Sequence, residues 1–294
     1  MTINNVEDSN MGAYTHEETS KFVDASIGKL HYHEAGEGPV LILLHGSGPG
    51  VTGWANFQGN LGLFSEHFRT LILDMPGYGG SPDIDGNPIV NAVQAVISFM
   101  DVLGIERANI LGNSLGGIVG SSVAAAIPDR IIRLATIGGM GVNIFTPSPA
   151  EGINLLVDFT EDPTRERIVS WLRSMVYDQS MVTEELIEER FKRATDPEFL
   201  ASSRKIYSRE AMNARMKMAA NGPKPWDHYD KIQCPTLITW GRDDRVSPVD
   251  MAMMPMRMIP KAELHVFYNC GHWAMIERKE EFESVVLAFF RRPE

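Results

Sequence analysis

ANILGNSLGGIVGSSVAAA, residues 108–126, begins as a short apolar run, turns sharply at a glycine, and continues as a run of small and apolar residues. Ala108–Leu111 reads as a strand, and Leu115–Ala126 as a helix of small residues packed closely against its neighbours. Between them, Gly112-Asn113-Ser114-Leu115-Gly116 has the pattern G-x-S-x-G. A strand that passes this abruptly into a helix forces the central residue into strained backbone, and the glycines let neighbouring backbone approach. Ser114 then stands clear of the sheet edge, with the positive end of a helix beneath its hydroxyl. The pattern alone is weak; the strand before it and the helix after it make Ser114 a candidate nucleophile.

Working outward, the same alternation recurs. Lys21–Ser26 and Lys29–Ala35 alternate apolar and polar residues around Ile27-Gly28, which predicts a β-hairpin. Val40–Leu44, Thr70–Leu73, Ile131–Ile137, Thr236–Trp240 and Leu264–Phe267 are largely apolar runs bounded by turn residues, as expected of strands buried on both faces. Helical patterns fall between them at Ile89–Leu103, Asp250–Met258 and Glu280–Arg291. Together they predict an α/β fold with a mostly parallel, eight-stranded sheet flanked by helices. Residues 141–227 break the rhythm with helix-like segments and no strand-like run, and predict a helical lid inserted at the C-terminal edge of the sheet. The expected organisation is a polar N-terminal arm at 1–20, a core at 21–140 and 228–294, and the lid at 141–227.

Composition excludes several classes. The chain has 294 residues, 44% hydrophobic and 22% charged, enough for a full core and too apolar for disorder. Its net charge of −11 disfavours nucleic acid and anionic membrane surfaces as partners. The first 20 residues lack the basic and apolar regions of a signal peptide, and no apolar run reaches membrane-spanning length, so a cytoplasmic location is expected. Cys234 and Cys270 cannot make a disulfide framework. No phosphate-binding glycine loop and no metal-ligand spacing is present, so neither cofactor nor metal is expected. Of the 16 methionines, Met140, Met175, Met181, Met212, Met216 and Met218 fall in or beside the lid, as an adaptable apolar lining or as ordinary gap-filling.

A serine nucleophile needs a base, an acid and an oxyanion hole. Of eight histidines, only His272 lies in a loop just after the last strand-like run. Asp243 and Asp244 both leave the preceding run, Thr236–Trp240, at the right level. The earlier strand end, Thr136-Ile137-Gly138-Gly139-Met140-Gly141, has no carboxylate to offer. Leu115 N–H, just after the nucleophile, supplies one oxyanion donor. The turn His45-Gly46-Ser47-Gly48-Pro49-Gly50 supplies the other, assigned to Ser47 N–H. Cys270 lacks an elbow and reads as a small buried residue.

One cation stands out in the segment TEELIEERFKRA, residues 183–194. Glu188 and Lys192, and Glu189 and Arg193, are spaced as helical ion pairs. Arg190 has Leu186, Ile187 and Ala194 as its helical neighbours and borders the apolar face. It either snorkels to solvent or a distant carboxylate, or grips a substrate carboxylate.

Several longer segments carry a resemblance: HGSGPGVTGWANF (45–57), GNSLGG (112–117), FTPSPAEGI (145–153), YDQSMVTEEL (177–186), WGRDDR (240–245) and LHVFYNCGHW (264–273). With them the chain resembles the meta-cleavage product hydrolases, the carbon–carbon bond hydrolases of aromatic and steroid ring degradation within the α/β-hydrolase superfamily. The resemblance spans nearly everything after the arm. It implies a Ser114–His272–Asp244 triad, an oxyanion hole from Ser47 and Leu115, and a polar subsite of Asn56, Asn113, Arg190 and Trp273. It further implies a homo-oligomeric, cofactor-independent enzyme. The expected reaction is hydrolysis of a 2-hydroxy-6-oxohexa-2,4-dienoate, a small anionic dienoate, to 2-hydroxypenta-2,4-dienoate and a carboxylic acid. A carboxylesterase or lactonase with the same triad is the competing expectation, and a non-catalytic ligand-binding relative a more distant one. Many members have an aromatic residue after the DDR segment, where this chain has Val246-Ser247-Pro248. The smaller Val246 predicts a wider acyl pocket and a bulky acyl group.

Overall fold

The computed structural model describes residues 14–222, 224 and 226–293. Among these, eight strands form one sheet: β1 (Ser20–Ala25), β2 (Gly28–Ala35), β3 (Val40–Leu44), β4 (Arg69–Leu73), β5 (Ala108–Asn113), β6 (Ile131–Ile137), β7 (Thr236–Gly241) and β8 (Ala262–Phe267). Their order is β1-β2-β4-β3-β5-β6-β7-β8. The β1–β2 and β2–β4 pairings are antiparallel and all others parallel, so the chain is an α/β fold with a mostly parallel sheet. The apolar runs are the reason. Leu41–Leu44, Leu71–Leu73, Ile110 and Leu111 are fully buried, covered by helices carrying Phe57, Phe64, Phe99, Phe282 and Phe289.

Helices α1 (His16–Thr19), α2 (Gly53–Ser65), α3 (Pro88–Val102) and α4 (Leu115–Ala126) precede β6. Between β6 and β7 lie α5 (Glu151–Glu161), α6 (Arg165–Met175), α7 (Glu184–Ala194), α8 (Pro197–Tyr207) and α9 (Arg209–Asn221). Then come α10 (Met253–Met258), α11 (Ala274–Glu277) and α12 (Lys279–Phe290). Within the insertion, Thr164, Thr183, Asp196 and Ser208 each accept a first-turn N–H, fixing where α6 to α9 begin.

Two elements depart from the sequence reading. Helix α2 has no clear apolar stripe, because Gly53, Gly59 and Gly62 interrupt it and Asn56 and Asn60 are among its buried residues. Asn60 Nδ2 donates to Met275 O and Glu283 Oε1 at 3.1 and 2.8 Å, so this polar face packs inward by hydrogen bonding. The expected arm also ends too late at residue 20. Residues 1–13 lie outside the described residues, but Thr15 and Glu18 cap α1 reciprocally, Thr19 is buried against His33, and β1 begins at Ser20. Polar residues 15–20 satisfy one another and the sheet, which is why polarity alone misread them.

Candidate active site

The turn at Gly112–Gly116 places Ser114, the candidate nucleophile. Ser114 has φ 53° and ψ −113°, in left-handed space that a non-glycine residue occupies only under constraint. The constraint is close packing. A Cβ on Gly112 would sit 2.2 Å from Gly116 O, and one on Gly116 would sit 2.1 Å from Leu44 O. Ser114 N–H donates to Ile137 O at 2.8 Å, pinning the elbow to β6. Its hydroxyl faces a cavity that His272 also lines.

His272 follows β8, and its Nδ1 lies 2.6 Å from Asp244 Oδ2 with both side chains almost fully buried. A carboxylate only accepts, so Nδ1 carries the proton and Nε2 keeps its lone pair for Ser114. Asp244 Oδ1 accepts Val246 N–H and Ser247 N–H at 2.8 and 2.9 Å, which fixes the carboxylate. Asp243 turns elsewhere, to Cys270 N and Arg242, both at 3.3 Å. The geometry thus separates the two aspartates. Gly138 and Gly139, at the end of β6, pass close behind His272 and Ser114; a Cβ on Gly139 would lie 2.1 Å from Ser114 O.

Leu115 N–H is the first of α4, one of the donors a helix leaves unpaired. Ser47 lies on the same cavity, its hydroxyl hydrogen-bonded to Tyr207 Oη. Asn56, Asn113, Arg190, Val246 and Trp273 line it too, so the structure brings all ten predicted site residues together. Asn56 has a further part: its Oδ1 accepts Gly46 N–H at 2.8 Å and shapes the Ser47 loop. Asn113 Nδ2 donates to Ile137 O at 3.2 Å.

Arg190 is 5% exposed. Its only hydrogen bond among the described residues is a long one, Nη1 to Pro49 O at 3.5 Å, and its guanidinium centre lies 5.6 Å from the Trp273 ring centroid. Burial lowers its pKa to about 10, still cationic at neutral pH. Glu189 pairs with Arg193 at 3.1 Å as its spacing predicts, whereas Glu188 pairs with Arg165 of α6 rather than Lys192. Arg190 has no carboxylate in salt-bridge range among the described residues, and it faces the nucleophile's cavity.

Leu156 of α5, Trp171 of α6 and Tyr207 of α8 line the cavity and escaped sequence reasoning, while Met175 of α6 was one of six methionines offered as a possible lining. They come from the insertion, where no spacing ties them to the strand ends. Met175 O also accepts His272 N–H at 2.6 Å. Val246 shares the cavity wall with Trp171, Ile153 and Leu156. Of the six methionines near the insertion, only Met175 lines it; Met216 and Met218 are exposed on α9. Burial pushes the Cys270 thiol up, away from nucleophilic use. Linear spacing also hid a cluster: His16, His31 and His33 each bring a ring nitrogen within 4.8 Å of the others.

The model of the alpha/beta hydrolase fold family matches residues 39–279. A 2-hydroxy-6-oxononadienedioate/2-hydroxy-6-oxononatrienedioate hydrolase of Burkholderia vietnamiensis is 38% identical, over 95% of this chain and 98% of its own. A 2-hydroxy-6-oxo-6-phenylhexa-2,4-dienoate hydrolase of Comamonas testosteroni is 37% identical, over 96% and 100%. Among solved structures, a meta-cleavage product hydrolase from Pseudomonas fluorescens superposes with a TM-score of 0.83 at 31% identity, covering 94% of this chain and 98% of that one.

Proposed function

The chain belongs to the meta-cleavage product hydrolases of the α/β-hydrolase family, and from that premise we propose how its residues divide the work on a 2-hydroxy-6-oxo-dienoate. It is a hydrolase of carbon–carbon bonds in such substrates. The observation that carries the reading is Arg190: a buried cation with no carboxylate in salt-bridge range among the described residues, on the cavity of Ser114 and His272. Burying such a charge is costly unless an anion meets it, and a dienoate carboxylate does so bidentately. A simple ester supplies no such anion, which sets the dienoate above the esterase and lactonase reading.

With the carboxylate on Arg190 and the 2-hydroxy end among Asn56, Asn113 and Trp273, the 6-keto group reaches Ser114. His272 Nε2 assists ketonisation, so that the dienoate becomes an electron sink. Ser114 Oγ then adds to C6, and Ser47 N–H and Leu115 N–H hold the charge that develops on oxygen. Cleavage of the C5–C6 bond releases 2-hydroxypenta-2,4-dienoate, and water activated by His272 frees the acid from Ser114. Asp244 orients His272 and stabilises its imidazolium throughout.

The acyl side is bounded by Ile153, Leu156, Met175 and Val246, and among the described residues Arg190 is the one lysine or arginine lining the cavity. We therefore assign a neutral, apolar acyl substituent rather than the second carboxylate of the dienedioates. Helices α5 to α9 act as a lid that must shift to admit it. Among the described residues no helix is long and apolar enough to cross a membrane. A cytoplasmic homo-oligomer, dimer or higher, completes the proposal and is checked by fractionation and light scattering.

Mixing the protein with a yellow 6-phenyl or 6-alkyl dienolate and following loss of the visible band tests the reading. Rapid bleaching, faster than with a 6-oxononadienedioate, is expected. Inertness alongside brisk hydrolysis of neutral aryl esters would establish the esterase instead.

A further inference from the structure

His16, His31 and His33 stand apart from the active site, on a cleft of about 560 Å³ bordered by Trp54, Asp74 and the start of α2. His31 and His33 alternate along β2 and so share one face. The capped α1 brings His16 over them, with ring centroids 4.6 Å from His33 and 6.0 Å from His31. One ring nitrogen of each lies within 4.8 Å of the others.

Hydrogen bonds decide which nitrogens offer a lone pair. His31 Nδ1 lies 2.6 Å from Asp74 Oδ2, which can only accept, so the proton is on Nδ1 and the lone pair on Nε2. The Ser20 hydroxyl meets that lone pair at 2.8 Å. On His33, Nδ1 lies 2.9 Å from Thr19 Oγ1, whose own proton points to Thr15 O at 3.0 Å. Thr19 therefore accepts, and the His33 lone pair is on Nε2. That atom is buried with no hydrogen-bond partner among the described residues, and the His33 side chain is fully enclosed. A buried lone pair facing no donor calls for an electrophile. The Asp74–His31 pair is also the carboxylate–imidazole arrangement that orients metal ligands.

We propose that His16, His31 and His33 bind a divalent transition-metal ion of the zinc class. Imidazole nitrogen suits such ions, and three protein ligands with an open fourth position are a recurring zinc arrangement. Zinc–nitrogen bonds of about 2.0–2.1 Å in a tetrahedron set the ligand atoms about 3.4 Å apart. The exposed His16 closes most of that gap, and the ion displaces the Ser20 hydroxyl from His31. Such a bond ties the segment before β1 to β2.

The test uses the full chain, freed of any histidine tag and treated with chelator, titrated with zinc chloride by calorimetry and followed by thermal melting. One zinc per chain and a raised Tm are expected. His16→Ala should weaken binding at least tenfold while leaving the zinc-free Tm and dienolate turnover unchanged, and Ser20→Ala should bind at least as tightly as the parent. His16→Gln, which keeps a polar side chain there, is read in place of His16→Ala should the alanine variant melt early. No zinc bound at micromolar concentration, or binding undiminished in both His16 variants, overturns the proposal.

Discussion

Arg190 concentrates the electrostatic problem of the site in one side chain. It is buried beside Trp273 and is cationic at neutral pH. Removing one member of a buried charged pair costs about 2–5 kcal/mol, so Arg190→Ala should lower kcat/KM for a dienoate by at least about 30-fold. Hydrolysis of a neutral aryl ester should change only a few-fold; equal losses on both substrates would make Arg190 structural. Ser114→Ala should reduce turnover on the order of 10⁴-fold or more in stopped-flow measurements, while dienolate binding, seen as a shift of its visible band, persists. Both residues were legible in the sequence, for different reasons. Ser114 sits in a motif whose geometry is forced by its flanking glycines, and Arg190 is isolated by helical spacing. Position alone left Asp244 level with Asp243, because neighbouring aspartates share a strand end, and the family resemblance chose Asp244. The hydrogen bonds from Val246 and Ser247, which a sequence cannot display, separate them. Trp171 and Tyr207 carried no local signal, since their roles come from how α6 and α8 dock.

In the proposed reading, helix α6 helps bound the acyl side of the cavity through Trp171 and Met175. Trp171 is 1% exposed, and a Cβ on Gly48 would lie 2.4 Å from its ring, so the indole rests directly on the loop that carries Ser47. Trp171→Phe should open space beside Val246 and raise the kcat/KM ratio of a phenyl over a methyl substrate by about tenfold. An unchanged ratio would place the limit elsewhere. Core strands were read well because parallel strands buried on both faces are continuously apolar. Helix α2 was missed because its buried face includes Asn56 and Asn60, whose partners are distant in sequence. The histidine cluster was missed for the same reason: residues 16 and 31 meet only once the hairpin is packed.

Across the whole chain, acid should be more damaging than its net charge of −11 suggests. Burial holds His33, His45 and His228 below their ordinary value of 6.5, His33 at about 4. The unfolded chain therefore takes up protons at a pH where the folded chain refuses them. The stability they contribute is complete above about pH 6.5 and is lost as pH falls toward 4, about 3 kcal/mol of it from His33. Tm should drop between pH 7 and 5 in calorimetric scans. His45→Gln, whose amide oxygen can still accept Met75 N–H, should flatten that slope. The anionic surface also gives a dienoate no long-range attraction, so kcat/KM should rise with ionic strength; a fall would reveal a local steering field.

The bond from His272 N–H to Met175 O has a consequence for engineering. The insertion does more than roof the cavity, because its α6 end supplies the carbonyl that seats His272, the proposed base. Excising residues 141–227 to admit larger substrates would unseat the imidazole along with the roof, and the shortened protein should lose turnover of small and large substrates alike. Redesign for access is better aimed at α5, whose Ile153 and Leu156 line the cavity, leaving in place the α6 end, Arg190 of α7 and Tyr207 of α8.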